Sequence, residues 1–306
     1  MRFFAPIAAL WQARRSVSPV FVVAAVLALV LGLLPVASQW LGGRQTWILS
    51  TRTMGATFTF QGMANAWPLT GVTLCEPLTT PLRVAPAETA GQRCDGRRYA
   101  QSQHDHRLFE WPDASAVELR AVPDGIEILF LSDAGGVGKG SLVHVPTGAF
   151  AGLGALGFTG SVEIGTLMST GAKAFLLDGH YAVREVGAIA NWRGWRSNTV
   201  KEGELTRGDV VSVVERSEPG RKSNGFGHIS LAGGDDVTLE VVFLSSGQWG
   251  KLKIATFGQD DPTYIAPNWL ERVLASPILI FVIFVSSLLG GFVQIFDALF
   301  RKSAER

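Results

Sequence analysis

The sequence predicts a membrane protein with two transmembrane α-helices, one near each end, flanking a mainly-β, antiparallel, sandwich-like extracytoplasmic domain. Three observations predict it. No charged residue occurs between Arg15 and Arg44, or between Arg272 and Asp297. Lys and Arg gather just outside those two windows. Between the windows, apolar residues alternate in short runs punctuated by glycine and turn residues, the pattern of antiparallel strands.

Residues 1–18 read as a cytoplasmic amphipathic tail. Phe3, Phe4, Ile7, Leu10 and Trp11 can rest on a membrane surface while Arg14 and Arg15 meet headgroups. Residues 19–38 read as the first span, near the roughly 20 residues a helix needs to cross the hydrocarbon. Only a helix or a closed barrel satisfies backbone polar groups there. The apolar run exceeds the roughly 7–15 residues of a signal-peptide h-region, which favours a retained span over cleavage at Val36-Ala37-Ser38.

Residues 39–267 form the domain, with 44–150 and 155–257 as possible subdomains. In 268–275 a short juxtamembrane helix is expected, because Asn268 followed by Glu271 three residues on resembles a capping box. The second span is 276–296, opened by Ser276-Pro277, and 297–306 is a cytoplasmic tail. Both spans carry small residues at four-residue spacing: Ala24, Ala28 and Gly32 in one, Ser286/Gly290 and Ser287/Gly291 in the other. Such ridges let helices approach closely, so the spans are expected to pack on each other or on a membrane partner.

Charge sets the expected orientation. Arg2, Arg14 and Arg15 precede the first span; Arg301, Lys302 and Arg306 follow the second. Both termini are then cytoplasmic and the domain periplasmic, in a bacterial inner membrane. The tails carry about +3 and +1, leaving the middle near −3 of the chain's net +1. That balance and location exclude nucleic acid as a partner. The expected partners are the lipid bilayer and a membrane or periplasmic protein. Cys75 and Cys94 are the only cysteines and fit no zinc or CxxC pattern, so an oxidising compartment should pair them.

Within the domain, Val117–Val122 and Ile126–Leu131 read as a hairpin across Pro123-Asp124-Gly125, with Gly125 in the left-handed position. Val237–Phe243 and Lys251–Phe257 read as a second hairpin across Gly247–Gly250. Val210–Glu215 and Phe226–Leu231 read as a third, across the basic 219–225 loop. Further strands are expected at Thr57–Phe60, Ser161–Ile164 and Ala174–Leu177, the last extended by Tyr181–Val186. Gly148–Gly157 is a boundary or a short helix, and surface loops are expected at Ala85–Gln103 and Ser217–Asn224. No βα alternation occurs, which excludes a parallel α/β enzyme fold.

Chemistry-bearing motifs are sparse. Asp133–Ser141 (DAGGVGKGS) approaches a phosphate-binding loop, but Asp133 stands where the first glycine belongs and Gly140 where the hydroxyl belongs. A glycine-rich turn between strands is the better reading. His104 and His106 share a face if strand, giving two weak candidate metal ligands where a site needs three or four. Asp178 and His180 supply two members of a triad with no serine singled out. Trp192, Arg193, Trp195 and Arg196 (WRGWR) combine indole faces with guanidinium groups, suited to ligand or membrane contact or to rim packing. No cofactor is implied. The expected function is non-catalytic: binding or scaffolding an envelope component or partner protein. A sensor or accessory subunit signalling through its spans and a tethered periplasmic hydrolase are the alternatives.

Overall fold

Alternation between core and solvent along short strands builds the domain. The computed structural model describes residues 44–275, apart from 63–64, 81–93, 168–171, 187–197, 217, 219, 234–235 and 246–249. Positions 280, 284, 285, 287, 288, 290, 291, 294 and 295 are also described. The first strands are β1 (Arg44–Thr53), β2 (Gly55–Phe60), β3 (Ala66–Pro77), β4 (Tyr99–Glu110), β5 (Ala116–Val122), β6 (Gly125–Phe130) and β7 (Leu142–Pro146). After helix α1 (Thr147–Gly152) come β8 (Leu156–Ile164), β9 (Leu176–Val186), β10 (Asn198–Leu205), β11 (Val210–Glu215) and β12 (Gly225–Leu231). Then follow β13 (Leu239–Ser245), β14 (Gly250–Ala255), β15 (Thr263–Ile265) and helix α2 (Trp269–Ala275).

Every registered pair of strands is antiparallel, and the order is β10-β9-β1-β13-β12-β8-β2-β5-β6-β7-β3-β4. Off that path, β11 joins β8 to β14, and β14 carries β15. The inward positions are Ala56, Phe58 and Phe60 on β2, Val117 and Leu119 on β5, and Ile126, Ile128 and Phe130 on β6, all buried. Their sequence neighbours Thr57, Glu118, Arg120 and Glu127 face out, as a two-residue period requires. Arg120 binds Glu118 through two nitrogens, and that carboxylate raises the guanidinium pKa still further.

Strand β8 is the junction. Its residues 156–160 pair with β12 and its residues 160–164 pair with β2. Gly160 belongs to both pairings and has φ 147°, a conformation L side chains rarely adopt. An aromatic cluster fills the core beside it. Trp67 meets Phe60 and Trp111 edge-on at 5.3 and 5.1 Å, and Phe60 stacks on Trp111 at 5.0 Å. Edge-on and offset rings satisfy the aromatic quadrupole better than face-to-face sandwiches. Residues 44–185 and 201–266 form one compact unit; α2 and the described positions after it belong to a second. At the start of α2, Asn268 and Glu271 exchange reciprocal side-chain–backbone bonds of 2.8 Å.

The expected pair of transmembrane helices is overturned. Among the described residues no helix is long and apolar enough to cross a membrane. Helices α1 and α2 have 6 and 7 residues, against the roughly 20 a crossing needs. The proposed first span, 19–38, with Ala24, Ala28 and Gly32, lies outside the described residues, as does Ser286. Ser287, Gly290 and Gly291 are described as helical, but they belong to no helix of sufficient length. The physical reason is one of length: an uncharged window shows compatibility with hydrocarbon, whereas a crossing needs roughly 20 continuous helical residues, and no described helix supplies them.

Two hairpins are also re-paired. β13 lies between β1 and β12, and β14 between β11 and β15, so the two strands flanking 246–249 are not partners. Likewise β11 and β12 both pair with β8 rather than with each other. Between β5 and β6 the hairpin stands, but Val122 pairs with Gly125 and the loop is only Pro123-Asp124. Gly125 is required by close approach: a Cβ there would sit 2.1 Å from the Val145 carbonyl oxygen.

Ala114 is the one described non-glycine residue with positive φ, at 63°. It turns the chain from Trp111 into β5, and its amide donates to the Phe60 carbonyl at 2.9 Å. The left-handed region costs a residue with a Cβ roughly 1 kcal/mol or more. Ala114→Gly should therefore raise stability by up to about 1 kcal/mol, partly offset by the larger unfolded-state entropy of glycine. Urea titration of parent and variant checks it, and a loss of stability would show that Ala114 is unstrained.

Candidate functional site

The outer face of β12 departs from the usual arrangement of a half-buried strand. In Gly225-Phe226-Gly227-His228 the glycines point inward and the large side chains point out. A Cβ on Gly225 would lie 2.7 Å from the Phe243 ring, and one on Gly227 would lie 2.7 Å from the Phe158 ring. Those two rings stack at 6.1 Å with planes 6° apart, filling the space that glycine leaves. The consequence is that Phe226 projects outward and is 55% exposed.

The register places its neighbours. Phe226 pairs with Leu244 on one side and Thr159 on the other, and Leu244 pairs with Ile48. One row across four strands therefore reads Ile48, Leu244, Phe226, Thr159. The next row on this face is Ser50, Val242, His228, Gly157; beyond it lie Arg52, Glu240 and Ser230. Ile48, Leu244 and Val242 are all half-buried. The arrangement is an apolar centre bordered on one side by the His228 imidazole and by two residues of opposite charge, Arg52 and Glu240. It can exclude water from a partner's apolar side chains.

The residues singled out from the sequence are scattered. Cys75 and Cys94 are joined in a disulfide, with Cα atoms 5.9 Å apart, tying β3 to the chain that enters β4. Closing that loop stabilises the fold by about 3 kcal/mol in the chain-entropy account. Trp192, Arg193, Trp195 and Arg196 lie outside the described residues. His104 and His106 lie on β4, which begins at Tyr99 and so takes up the end of the expected Ala85–Gln103 loop. His104 Nε2 is 3.1 Å from Ser102 Oγ and 3.4 Å from the Arg107 guanidinium, so a cation is a poor neighbour for it. No group of three or more metal-ligating side chains forms among the described residues. Asp178 faces Arg52 at 3.5 Å and is exposed, held by a surface ion pair rather than by His180.

Asp133–Ser141 joins β6 to β7. Ala134 and Val137 bond each other through both backbone groups across Gly135 and Gly136, whose φ values are 58° and 73°. Two positive φ values in a two-residue loop define a tight hairpin turn. Asp133 Oδ1 accepts the Lys139 amide at 2.6 Å, closing the loop on itself. Beside it lies an open cleft of about 690 Å³ lined by Asn65, Glu110, Trp111, Asp113, Gly135 and Gly136. Two of its groups serve the fold, since Asp113 accepts the Gly62 amide and the buried Asn65 carboxamide exchanges bonds with the backbone of Thr159, while among the described residues the buried Trp111 indole N–H has no partner.

Sequence reasoning missed Phe226. The signal was present in Asn224–Ile229 (NGFGHI), where alternate glycines frame an aromatic residue. Comparison with protein-family models, with curated proteins and with solved structures returns no match.

Proposed function

We propose that this chain acts by binding rather than by catalysis. Its β-domain works in an extracytoplasmic compartment of a bacterial envelope and holds or scaffolds a protein partner on the outer face of β1, β13 and β12. The observation that carries this reading is the exposed Phe226 ring amid Ile48, Leu244 and Val242. An apolar centre with a polar border of His228, Arg52 and Glu240 has the composition of a protein interface. Burying a phenylalanine side chain contributes about 2–3 kcal/mol, enough for one residue to dominate a modest contact. The Cys75–Cys94 bond supports the compartment, since such bonds persist where the surroundings are oxidising. The Arg52–Asp178 pair removes support from the hydrolase alternative, whose acid would have to orient His180.

Photocrosslinking in the native envelope tests this. A benzophenone side chain replacing Phe226 should give one discrete protein adduct. The same probe at Thr57, which faces outward on β2, should give none. Equal or absent labelling at the two positions would end the proposal.

A further inference from the structure

Three tryptophans are fully buried among the described residues, and two of them have an acceptor for the indole N–H. Trp47 Nε1 donates to the Gly250 carbonyl at 3.0 Å, and Trp67 Nε1 to the Gly157 carbonyl at 2.9 Å. Trp111 is 2% exposed, yet among the described residues its Nε1 has no partner. A buried indole nitrogen ordinarily finds one, because otherwise it forfeits its bond to water for nothing. Trp111 is also the one of the three that lines the cleft of about 690 Å³ beside the β6–β7 loop. Phe60 and Phe109 stack on its ring at 5.0 and 5.9 Å, so what it offers the cleft is its edge, where the N–H lies.

The rest of the cleft is held in place and carries one sign of charge. The Asn65 carboxamide is spent on the backbone, accepting the Thr159 amide at 2.7 Å and donating to the Thr159 and Gln61 carbonyls at 3.1 Å each. Asp113 gives Oδ1 to the Gly62 amide at 3.0 Å and keeps Oδ2 for the cleft. Glu110 is exposed, stands directly across from Ala66, and makes no ion pair among the described residues. No Lys, Arg or His lines the cleft. We infer that it binds a small hydroxylated amine, an amino sugar, with the ammonium held by the Glu110 and Asp113 carboxylates and a sugar oxygen accepting the Trp111 indole N–H. An acid or an amino acid would set a further carboxylate against these two, and a neutral sugar would leave both without a counter-charge. A two-carbon amino alcohol would leave most of the cleft to water, whereas sites of this size bury most of their ligand's surface. The indole nitrogen is screened from bulk water, so an acceptor seated on it meets no competing solvent, once the exposed rim at Pro112 yields to admit it. The contacts are few and the cleft is open, so affinity is modest, about 1 mM.

NMR titration of the full-length chain, with nitrogen-15 in its tryptophan indoles, tests the inference with glucosamine as the probe. One indole resonance should move progressively and saturate. It should be the resonance missing from Trp111→Phe, a variant that breaks no indole hydrogen bond within the described protein. Glu110→Gln, at an exposed position, should weaken glucosamine binding roughly tenfold and keep the parent's melting curve. Ala66→Arg sets a guanidinium across from Glu110 and should stop that resonance from responding, which locates the site even where Trp111→Phe fails to fold. Glucose and N-acetylglucosamine lack the positive charge and should bind roughly tenfold more weakly or worse, as should ethanolamine, which lacks the ring. A moving resonance that persists in Trp111→Phe or in Ala66→Arg would place the sugar elsewhere on the chain and overturn the inference. So would glucose or ethanolamine binding as tightly as glucosamine, binding indifferent to Glu110→Gln, or no shift up to about 100 mM. These outcomes are independent of labelling at Phe226.

Discussion

Trp67→Ala should destabilise the β-domain by about 4–5 kcal/mol, the upper range for removing a large aromatic side chain from a core. Trp67 is fully buried on β3 and touches Phe58, Phe60 and Trp111 edge-on. Its indole Nε1 donates to the Gly157 carbonyl at 2.9 Å, which ties β3 to the start of β8. Alanine would leave a cavity among rings that cannot collapse together, since Phe60 is stacked on Trp111 and Phe58 is edge-on to Phe158. Trp67→Phe separates the two contributions. It keeps most of the packing, loses the bond and orphans the Gly157 carbonyl, and should cost about 1–3 kcal/mol. Urea titration followed by circular dichroism gives both numbers. A Trp67→Ala variant within 1 kcal/mol of the parent would show that the aromatic cluster does not hold the domain together.

The loss would reach the proposed binding face as well. Gly157 lies opposite His228, in the row beside Phe226. Its carbonyl, engaged by Trp67 from the core side, helps fix the height of β8 against β12. An intermediate variant such as Trp67→Phe should therefore leave the domain folded while loosening the Thr159 end of the apolar row.

How much of this was legible can be judged strand by strand. Alternation revealed β2, β5, β6, β12, β13 and β14, because the two-residue period of their inward face survives in the sequence, while β11, buried on both faces, was legible as a short run rich in valine. Their partners were not legible. Adjacent strands separated by a turn-rich segment read as hairpins, yet β13 pairs with β1, almost two hundred residues earlier in the chain. Side-chain alternation says which face is buried and nothing about which edge is shared. β1, β3 and β4 escaped notice for another reason: Gln45, Thr51 and Thr53 are polar residues at buried positions, and β4 is polar on both faces.

Glycine misled in both directions. Gly125 reads as a left-handed turn position but sits under the Val145 carbonyl, whereas Gly225 and Gly227 make room for rings. The uncharged windows misled most, since apolarity alone does not establish a spanning helix. The one site feature that composition did deliver was the Cys75–Cys94 bond, because two lone cysteines leave no alternative pairing.

Gly160→Ala is the second large effect, and it bears on whether the domain's strands cooperate. A Cβ at this position would lie 2.1 Å from the Thr59 carbonyl oxygen and 2.9 Å from the Phe60 Cα, both backbone atoms with no rotamer to change. The φ of 147° adds a conformational penalty that any L residue meets. Relief requires β8 to move away from β2, but Gly160 also pairs with Gly225 of β12, so the displacement cannot stay on one side. The expected cost is more than about 4 kcal/mol, among the larger values seen for single substitutions. Gly157→Ala is the matched control three residues earlier on the same strand. The nearest atom to its Cβ would be the Gly227 carbonyl oxygen at 4.0 Å, and the change should stay within about 1 kcal/mol. Thermal unfolding should report one transition in the parent and a strongly lowered one for Gly160→Ala, with the signals of the Trp67 cluster and of the β12 face lost together. A variant that melts in two steps, one near the parent's temperature, would show that β2 and its neighbours fold without β12. The strand sets on either side of β8 would then be separate folding units that happen to share an edge.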